Sequence, residues 1–209
     1  MTHLLPRARR VLYNALLDLR FGAPLAGEVR TRYRDLGAKD TANSDYLALD
    51  RIFAGRIEPD DVLVDIGCGK GRVLNWWLRH YDNALIGIEL DPSIAARTRS
   101  RLRRYPNVTI LTGNVLDCLP RHGTLFYMYN PFHAEVVQQL EQQLVEVARG
   151  GGGYIRVLYN NCKYLSAFIN SPNWSVDLLD TALTDPFDRV AYIEFVGALP
   201  DPGATASPT

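Results

Sequence analysis

The 209-residue sequence has few cysteines, no net charge and no long apolar run. Its three cysteines, Cys68, Cys118 and Cys162, are far apart and odd in number, which excludes a disulfide framework and a paired-cysteine zinc site. Because Lys plus Arg and Asp plus Glu both number 23, no overall charge draws the chain to nucleic acid or to a membrane. No stretch approaches the roughly 20 apolar residues of a spanning helix. These absences favour a cytoplasmic enzyme or binding protein without a bound metal.

The N-terminal region has three arginines among its first ten residues, but polar residues interrupt the apolar run that follows. Since no clean small-residue cleavage site follows either, a signal peptide is not expected. Apolar residues from Leu5 to Leu19 recur at helical spacing and predict an amphipathic helix over residues 5–20. We expect this helix to pack on the main domain; contact of its arginines with anionic lipid is the alternative.

From residue 61 onward, short apolar runs alternate with helical patterns. Five of these runs have the character of buried strands, so the alternation predicts a parallel sheet covered on both faces. Two further strands, "WSVDLLDTAL" and "RVAYIEFVGA", are expected to form a hairpin joined by "TDPFD" and appended without an intervening helix. The final "LPDPGATASPT", residues 199–209, is expected to be a disordered tail because it has almost no apolar content.

A glycine-rich loop, "VDIGCGKGR", follows the first of these strands. Glycine lets the backbone approach a ligand, and the helix that follows offers N–H groups at its start. A P-loop is excluded because Gly71 stands where Ser or Thr must follow Lys70. A dinucleotide fingerprint fits poorly, since Arg72 occupies its third glycine position. Two possibilities remain: a ligand loop in which an acid, Asp65, precedes G-x-G-x-G, or a tight turn without a ligand.

The ligand-loop form resembles the first motif of the class I S-adenosylmethionine-dependent methyltransferases. The stretches "GIELDP" and "ARGGGGYIRVLY" are similar to the end of that family's second strand and to the glycines before its fifth. The resemblance covers roughly residues 45–198 and implies a Rossmann-like, doubly wound α/β sheet of seven strands. That sheet would be mostly parallel, in the order 3-2-1-4-5-7-6, with a C-terminal antiparallel hairpin. Residues 1–44 would then form an N-terminal helical cap segment.

The resemblance also implies S-adenosylmethionine as the cofactor. Asp65 would fix its amino group, directly or through water, and Glu89 can accept hydrogen bonds from both ribose hydroxyls. Asn114 stands where the family often has an acid for the adenine amino group; Asp117 is a second candidate, equally suited to cap a helix. Cys68 is expected to fill space beside the cofactor rather than to react. The residues expected to line the cofactor are Tyr46, Asp65, Gly67, Cys68, Gly69, Gly71, Glu89, Leu90, Asn114, Val115 and Asn130, with Asn43 as a further candidate.

The fourth strand ends in "YMYNPFH", where "NPF" resembles a shortened form of the Asn/Asp-Pro-Pro-aromatic motif of methyltransferases that act on amino or amide nitrogens. In that motif the Asn oxygen and a nearby carbonyl accept the target N–H bonds, and the aromatic ring stacks on a planar target. Asn130, Pro131 and Phe132 match, but the second proline is absent, which disfavours a nucleobase target. His133 is a candidate general base. The alternative is that Asn130 and Pro131 only end the strand, with His133 in the first helical turn.

Alternation along the fourth strand places Tyr127 and Tyr129 on one face, where either can line a substrate pocket.

The earlier stretch "ARTRSRLRRY" contains five arginines, a composition that can indicate nucleic-acid binding. Because these arginines flank an apolar helical stripe and no aromatic residues are interleaved among them, we expect a solvated face instead. Nucleic acid therefore stays a disfavoured partner.

The sequence thus predicts a methyltransferase that uses S-adenosylmethionine and acts on a nitrogen of a protein side chain or a small molecule. One alternative is an O-methyltransferase for a small hydroxylated acceptor. Another is a non-catalytic protein that binds the cofactor or serves as a scaffold, and an NAD-dependent oxidoreductase is more distant. The acceptor and the oligomeric state are left open by the sequence.

Overall fold

Seven strands form one sheet at the centre of the molecule. In this computed structural model, which describes residues 4–27, 32–33, 35, 44–151, 154–180 and 189–199, the sheet lies within the expected region. The strands are Val62–Ile66 (β1), Ala84–Glu89 (β2), Val108–Thr112 (β3), Leu125–Tyr129 (β4), Arg156–Asn160 (β5), Trp174–Leu179 (β6) and Val190–Phe195 (β7). Their order is β3-β2-β1-β4-β5-β7-β6, which confirms the predicted topology.

The helices of the described residues cover both faces of this sheet. They are Leu4–Arg20 (α1), Tyr46–Phe53 (α2), Arg72–His80 (α3), Pro92–Leu102 (α4), Val115–Cys118 (α5), Ala134–Gly150 (α6) and Ser166–Ile169 (α7). The N-terminal helix is confirmed as α1. The expectation that the terminal hairpin follows without a helix is wrong, because α7 precedes β6. The predicted "TDPFD" turn and residues 200–209 of the predicted tail lie outside the described residues.

Strands β1 to β5 pair in parallel, whereas β7 runs antiparallel to both β5 and β6. The carboxyl ends of the five parallel strands therefore meet at one edge. Asp65 of β1 stands opposite Tyr127 of β4, and Tyr129 stands opposite Asn160 of β5. Since ligands of open parallel sheets bind outside this edge, these residues mark where a site is expected.

The core has two layers, one on each face of the sheet. Met128 and Val157 face α5, α6 and α7, whereas Leu63, Tyr127 and Leu158 face α1 to α4. Consecutive residues of a strand alternate between these layers because strand side chains have a period of two. Tyr127 and Tyr129 share the face towards α1 to α4, as predicted. No helix among the described residues is long and apolar enough to cross a bilayer.

Candidate active site

The glycine-rich loop lies between β1 and α3, at the carboxyl edge of the sheet. Gly67, Gly69 and Gly71 have φ values of +76°, +52° and +78°, which residues with a Cβ atom rarely adopt. A Cβ atom at Gly67 would lie 3.2 Å from Cβ of Pro131, so the loop touches the turn that follows β4. The two motifs that the sequence singled out are therefore brought into contact by the fold.

Glu89, at the end of β2, holds the loop in place. One carboxylate oxygen accepts the N–H of Gly69 at 2.8 Å, and the other accepts the N–H of Asp91 at 2.8 Å. Burial raises the pKa of Glu89, while these two N–H donors partly offset that effect. A carboxylate has about four acceptor positions, and the N–H of Leu90 also contributes, so at least one position is left for a hydroxyl group of a ligand.

Asp65, at the end of β1, is a buried acid whose charge is not matched by a cation. Only 3% of the residue is exposed, and its Oδ2 atom has no hydrogen-bond partner among the described residues. Burial, followed by the charge of Glu89, raises the pKa of Asp65 well above its usual range. An unpaired buried carboxylate oxygen is costly, so this position favours a ligand that brings a cationic N–H donor.

A cavity of about 20 Å³ adjoins Asp65 and holds one water molecule or one small polar group. Its wall is formed by Ser44, Asp65, Tyr127 and Tyr129 together with the glycine loop and Arg72. The charge of Arg72 is compensated by Asp18, which leaves Asp65 as the lining residue with an unpaired charged atom among the described residues. Such a wall suits a ligand group that donates hydrogen bonds.

A hydrogen-bonded group that the sequence interpretation missed lies next to this cavity. The hydroxyl of Tyr127 pairs with Ser44 Oγ at 3.0 Å and accepts Nδ2 of Asn160 at 3.1 Å. Asn160 is 3% exposed, and its Oδ1 atom has no partner in the described part of the chain. The available signal was a polar residue at the carboxyl end of a buried strand, the position from which parallel-sheet sites are built.

The end of β3 differs in detail from the expectation. Asn114 caps α5, because its Oδ1 accepts the N–H of Leu116 at 3.1 Å. Asp117 does not cap the helix and lies in its first turn, so that alternative for Asp117 is wrong. Val115 is buried in the core, with 3% of the residue exposed. Asn114 keeps a second lone pair on Oδ1, and its contact with adenine stays a prediction.

The turn after β4 is strained and partly buried. Asn130 has a φ of +37° and is 6% exposed. A non-glycine residue with a positive φ costs about 1–3 kcal/mol of folding free energy, and such residues are common at functional sites. Phe132 is 8% exposed and packs in the core with Met128 and Val137, which weighs against the predicted stacking on a planar target. His133 is exposed and is the N-cap residue of α6, so its role as a base stays a prediction.

Tyr46 and Cys68, both predicted to line the cofactor, are buried. The Tyr46 hydroxyl donates to Asp18 at 3.0 Å and accepts from Asn75 at 3.1 Å, so it has no spare hydrogen for a cofactor. Cys68 is buried, and burial raises the pKa of its thiol well above the usual range, as suits the predicted space-filling role. Asn43 lies outside the described residues.

A buried ion pair connects α1 with the first turn of α3. The carboxylate of Asp18 accepts Nε of Arg72 at 3.1 Å and Nη2 at 2.6 Å. Arg72 also donates to the carbonyl of Ser44 at 3.2 Å, next to the cavity. This ion pair has no signal in the sequence, because no local pattern links positions 18 and 72.

Lys70 and Arg101 extend this connection. The ammonium of Lys70 donates to the carbonyls of Leu25, Ala26 and Gly27 at 2.9–3.2 Å. Arg101 donates to the carbonyl of Lys70 at 2.7 Å and to Oδ1 of Asn75 at 2.8 Å.

The expectation of a solvated arginine face on α4 is thus wrong for part of that face. Arg101 is half-buried and bound to the glycine loop, whereas Arg99 stays exposed, although it donates to the carbonyl of Ile110 at 2.8 Å and to the hydroxyl of Thr112 at 2.7 Å. Arg97 and Arg103 are exposed as expected. The bound arginines have a structural role, so the run as a whole gives little support for nucleic-acid binding.

Comparison with known proteins agrees with this geometry. A family model described as a methyltransferase domain matches residues 63–152, whereas no curated protein matches the sequence. The O-methyltransferase TomG from Streptomyces achromogenes, solved with S-adenosylmethionine, is 15% identical and has a TM-score of 0.57 over 90% of this chain and 99% of its own. An RNA methyltransferase from Salinibacter ruber, solved with S-adenosyl-L-homocysteine, is 16% identical and has a TM-score of 0.55 over 77% of this chain and 97% of its own. The Bacillus subtilis tRNA methyltransferase TrmK is 10% identical, with a TM-score of 0.54 over 74% of this chain and 67% of its own.

The sheet order, the loop between β1 and α3 and the domain match define a class I methyltransferase fold. Residues 63–152 match a methyltransferase-domain family, and the whole chain shares its fold with the solved methyltransferases named above, as the sequence motifs indicated.

Proposed function

We propose that this chain binds S-adenosylmethionine and transfers its methyl group to a nitrogen atom of a protein side chain or a small molecule. The observation that carries the proposal is the unpaired Oδ2 atom of Asp65 behind three glycines of positive φ. The cofactor has a cationic amino group, which is the donor that this buried carboxylate lacks. Its ribose hydroxyls match the acceptor capacity that is left on Glu89.

The residues of the site would bind and orient rather than react. When bound, S-adenosylmethionine supplies a methyl group on a positively charged sulfur, so transfer is an in-line displacement by the acceptor. Asp65 and Glu89 would fix the two polar ends of the cofactor, and the glycine N–H groups would approach its carboxylate. Alignment of the reacting atoms and removal of water are then the main contributions of the protein.

A nitrogen acceptor is supported by the polar atoms beyond the loop. Asn130 lies in a strained turn against the glycine loop, where its amide oxygen can accept an N–H of the acceptor. The cavity wall has the oxygens of Ser44, Asp65 and Tyr127, and Asn160 adds an unpaired amide oxygen nearby. These groups attract N–H donors and repel a carboxylate. The core position of Phe132 weighs against a nucleobase.

A small-molecule O-methyltransferase is the second candidate. It is favoured by the similarity to TomG, an O-methyltransferase that matches 90% of this chain. The same oxygens can accept the hydrogen of a hydroxyl group, so the cavity wall does not discriminate between a hydroxyl acceptor and an amine acceptor. A non-catalytic cofactor-binding protein and a cytoplasmic location stay predictions of the sequence.

The decisive experiment compares Asn130→Gly with Asn130→Asp. Glycine relieves the positive φ but removes the amide, whereas aspartate keeps an acceptor oxygen. We expect Asn130→Gly to reduce methyl transfer at least about a hundredfold, as for loss of a positioning contact. Asn130→Asp should retain a measurable fraction, and both variants should bind S-adenosylhomocysteine like wild type in calorimetry. Equal transfer by wild type and Asn130→Gly would remove Asn130 from the site.

The acceptor class is tested with radiolabelled S-adenosylmethionine and separate protein, RNA and metabolite pools. Label in protein or metabolites, with the chemical stability of an N-methyl group, is the expected result. Label in RNA alone would overturn the acceptor assignment, and a base-labile product would favour the O-methyl alternative. Tight binding of the cofactor without transfer to any pool would favour the non-catalytic alternative.

A further inference from the structure

The outer face of α1 presents an apolar stripe to solvent. Its members, Leu12, Leu16 and Leu19, are 57–61% exposed and are called the outer stripe below. Together with the exposed Val11 on the flank of α1, they are four of the ten large hydrophobic side chains that are exposed among the described residues. A single exposed leucine needs no explanation, but a cluster on one face indicates an interaction surface.

The orientation of the outer stripe is fixed by the opposite face of α1. At 100° per residue, Leu17 and Asp18 lie on the far side of the helix from Leu12. Leu17 packs in the core, and Asp18 is fully buried in its ion pair with Arg72. The side chain of Asn14 accepts the N–H of Tyr46 at 3.2 Å. These contacts hold the stripe outward, so its exposure follows from the fold.

The exposed charged side chains that the structure describes on α1 are of one sign. The exposed charged side chains described on α1 are Arg9, Arg10 and Arg20. Its one acid, Asp18, is buried and compensated. Arg10 pairs with Asp45, whereas Arg9 and Arg20 lie along one margin of the stripe at 100° per residue.

A fourth arginine extends this margin from the neighbouring helix. Arg104, just after α4, donates to the carbonyl of Arg20 and is exposed. The whole chain has a formal net charge of +0, so this positive region is local. An apolar stripe with a cationic border is complementary to a bilayer with negative headgroups.

We propose that α1 docks this protein on an anionic lipid surface. The outer stripe would enter the region between headgroups and acyl chains, while Arg9, Arg20 and Arg104 would contact the phosphates. The helix, about 25 Å long, can lie flat on the bilayer because its other face is bound to the domain. This surface is separate from the cofactor site, and the proposal does not depend on the reaction that the site performs.

A second copy of the chain is a poorer occupant of the outer stripe. Antiparallel pairing of two α1 helices would place Arg9 of one copy near Arg20 of the other. Parallel pairing would bring each arginine next to the same arginine of the other copy. Because the described outer face of α1 has no exposed acid, either arrangement opposes like charges.

The test is sedimentation of the full chain with lipid vesicles at low and high salt. Vesicles of phosphatidylcholine mixed with phosphatidylglycerol are compared with vesicles of phosphatidylcholine alone. The variants are Leu12→Gln with Leu16→Gln, and Arg9→Gln with Arg20→Gln. Ile169→Gln with Leu199→Gln is the matched control, since both residues are at least half exposed and lie elsewhere.

We expect the wild type and the control to bind the anionic vesicles at low salt. Both should bind at least about tenfold more weakly to vesicles of pure phosphatidylcholine, or to anionic vesicles at high salt. Each α1 double variant should bind the anionic vesicles at least about tenfold more weakly than wild type. All variants should unfold at the wild-type temperature, because the substituted side chains are exposed.

Three results would overturn the proposal. The first is wild-type protein that stays in the supernatant with anionic vesicles at low salt. The second is equal vesicle binding by wild type and the Leu12→Gln, Leu16→Gln variant. The third is a wild-type dimer in light scattering that this variant converts to a monomer without any vesicle binding, which would assign the outer stripe to a second copy.

Discussion

At the scale of single residues, the site is built around a buried acid that no cation among the described residues compensates. Asp65 is buried beside a small cavity, and its pKa is raised by burial and by Glu89. A group whose pKa is raised on folding stabilises the protein most below its ordinary pKa. That contribution is lost as the pH rises through the raised value. Asp65 therefore lowers the stability of the cofactor-free protein at neutral pH.

Replacement of Asp65 by Asn should have opposite effects on stability and binding. The free energy of unfolding of the cofactor-free protein at neutral pH should rise, because no buried charge has to form. The affinity for S-adenosylhomocysteine should fall about tenfold to a hundredfold, as for loss of a charged hydrogen bond. Urea unfolding and calorimetry measure the two effects, with the exposed Asp177→Asn as the control.

The same residue predicts how cofactor affinity depends on pH. A bound amino group favours the ionised carboxylate, so wild-type affinity should weaken as the pH falls below the raised pKa of Asp65. Asp65→Asn should lose this part of the dependence. A wild-type affinity that is independent of pH down to the ordinary carboxyl range would contradict the assigned contact.

Gly87 in β2 shows how a missing side chain supports the site. A Cβ atom there would lie 2.8 Å from Sγ of Cys68 and 3.0 Å from Cδ1 of Ile110. Gly87→Ala should destabilise the protein by about 1–3 kcal/mol through overpacking beneath the loop. Gly150→Ala, in α6 with open space around it, should be neutral or stabilise by up to about 1 kcal/mol. Equal unfolding midpoints in urea for the two variants would show that this packing has no effect.

At the scale of secondary-structure elements, charged side chains attach α1 and the residues after it to the glycine loop and to the start of α3. Asp18 meets Arg72 at the start of α3, and Lys70 of the loop binds the carbonyls that follow α1. The segment before the cofactor domain is therefore coupled to the loop that would hold the cofactor. These contacts cross the predicted boundary between residues 1–44 and the rest of the chain.

The Asp18–Arg72 pair should be strongly coupled. Asp18→Asn should lower the free energy of unfolding by about 3–5 kcal/mol, because Arg72 is left buried without its partner. Asp18→Leu combined with Arg72→Met should recover much of that loss. The partly exposed pair Arg10–Asp45 is the control; it is broken by Arg10→Gln, because Asp45 also caps α2, and this change should cost less than about 1 kcal/mol. Additive effects in a double-mutant cycle on Asp18 and Arg72 would contradict the coupling.

At the scale of the whole molecule, cofactor binding should appear as thermal stabilisation. S-adenosylhomocysteine at about a hundredfold above its dissociation constant should add about 2.7 kcal/mol to the folded state. For a chain of this size, that corresponds to a rise of about 5–10 °C in the unfolding temperature. NADH at the same concentration is the control, and an equal shift with NADH would favour the oxidoreductase alternative.

The sequence predicted the architecture well because each element has a local signature. β1 and β2 are apolar runs of strand length, α4 begins with Asp91 and Pro92, and the glycines require a turn at residues 67–71. The short helix α7 was missed, since four residues carry little periodicity. The family resemblance added the strand order, which no local pattern contains.

The site was predicted less completely because its contacts join distant positions. Gly67 and Pro131 were each found by motif, but their contact comes from the neighbouring positions of β1 and β4. The burial of Phe132 and the partners of Tyr46 follow from packing that no linear pattern shows.

The sequence by itself determined the strand and helix pattern, the glycine loop and the acids that follow β1 and β2. These features depend on residue type and on neighbours along the chain. Only the tertiary structure decided that Asp65 has an unpaired oxygen, that Asp18 neutralises Arg72, and that one face of α1 is covered while the other is exposed. Burial and charge compensation depend on which groups meet after folding, and Asp18 and Arg72, for example, lie 54 residues apart in this chain.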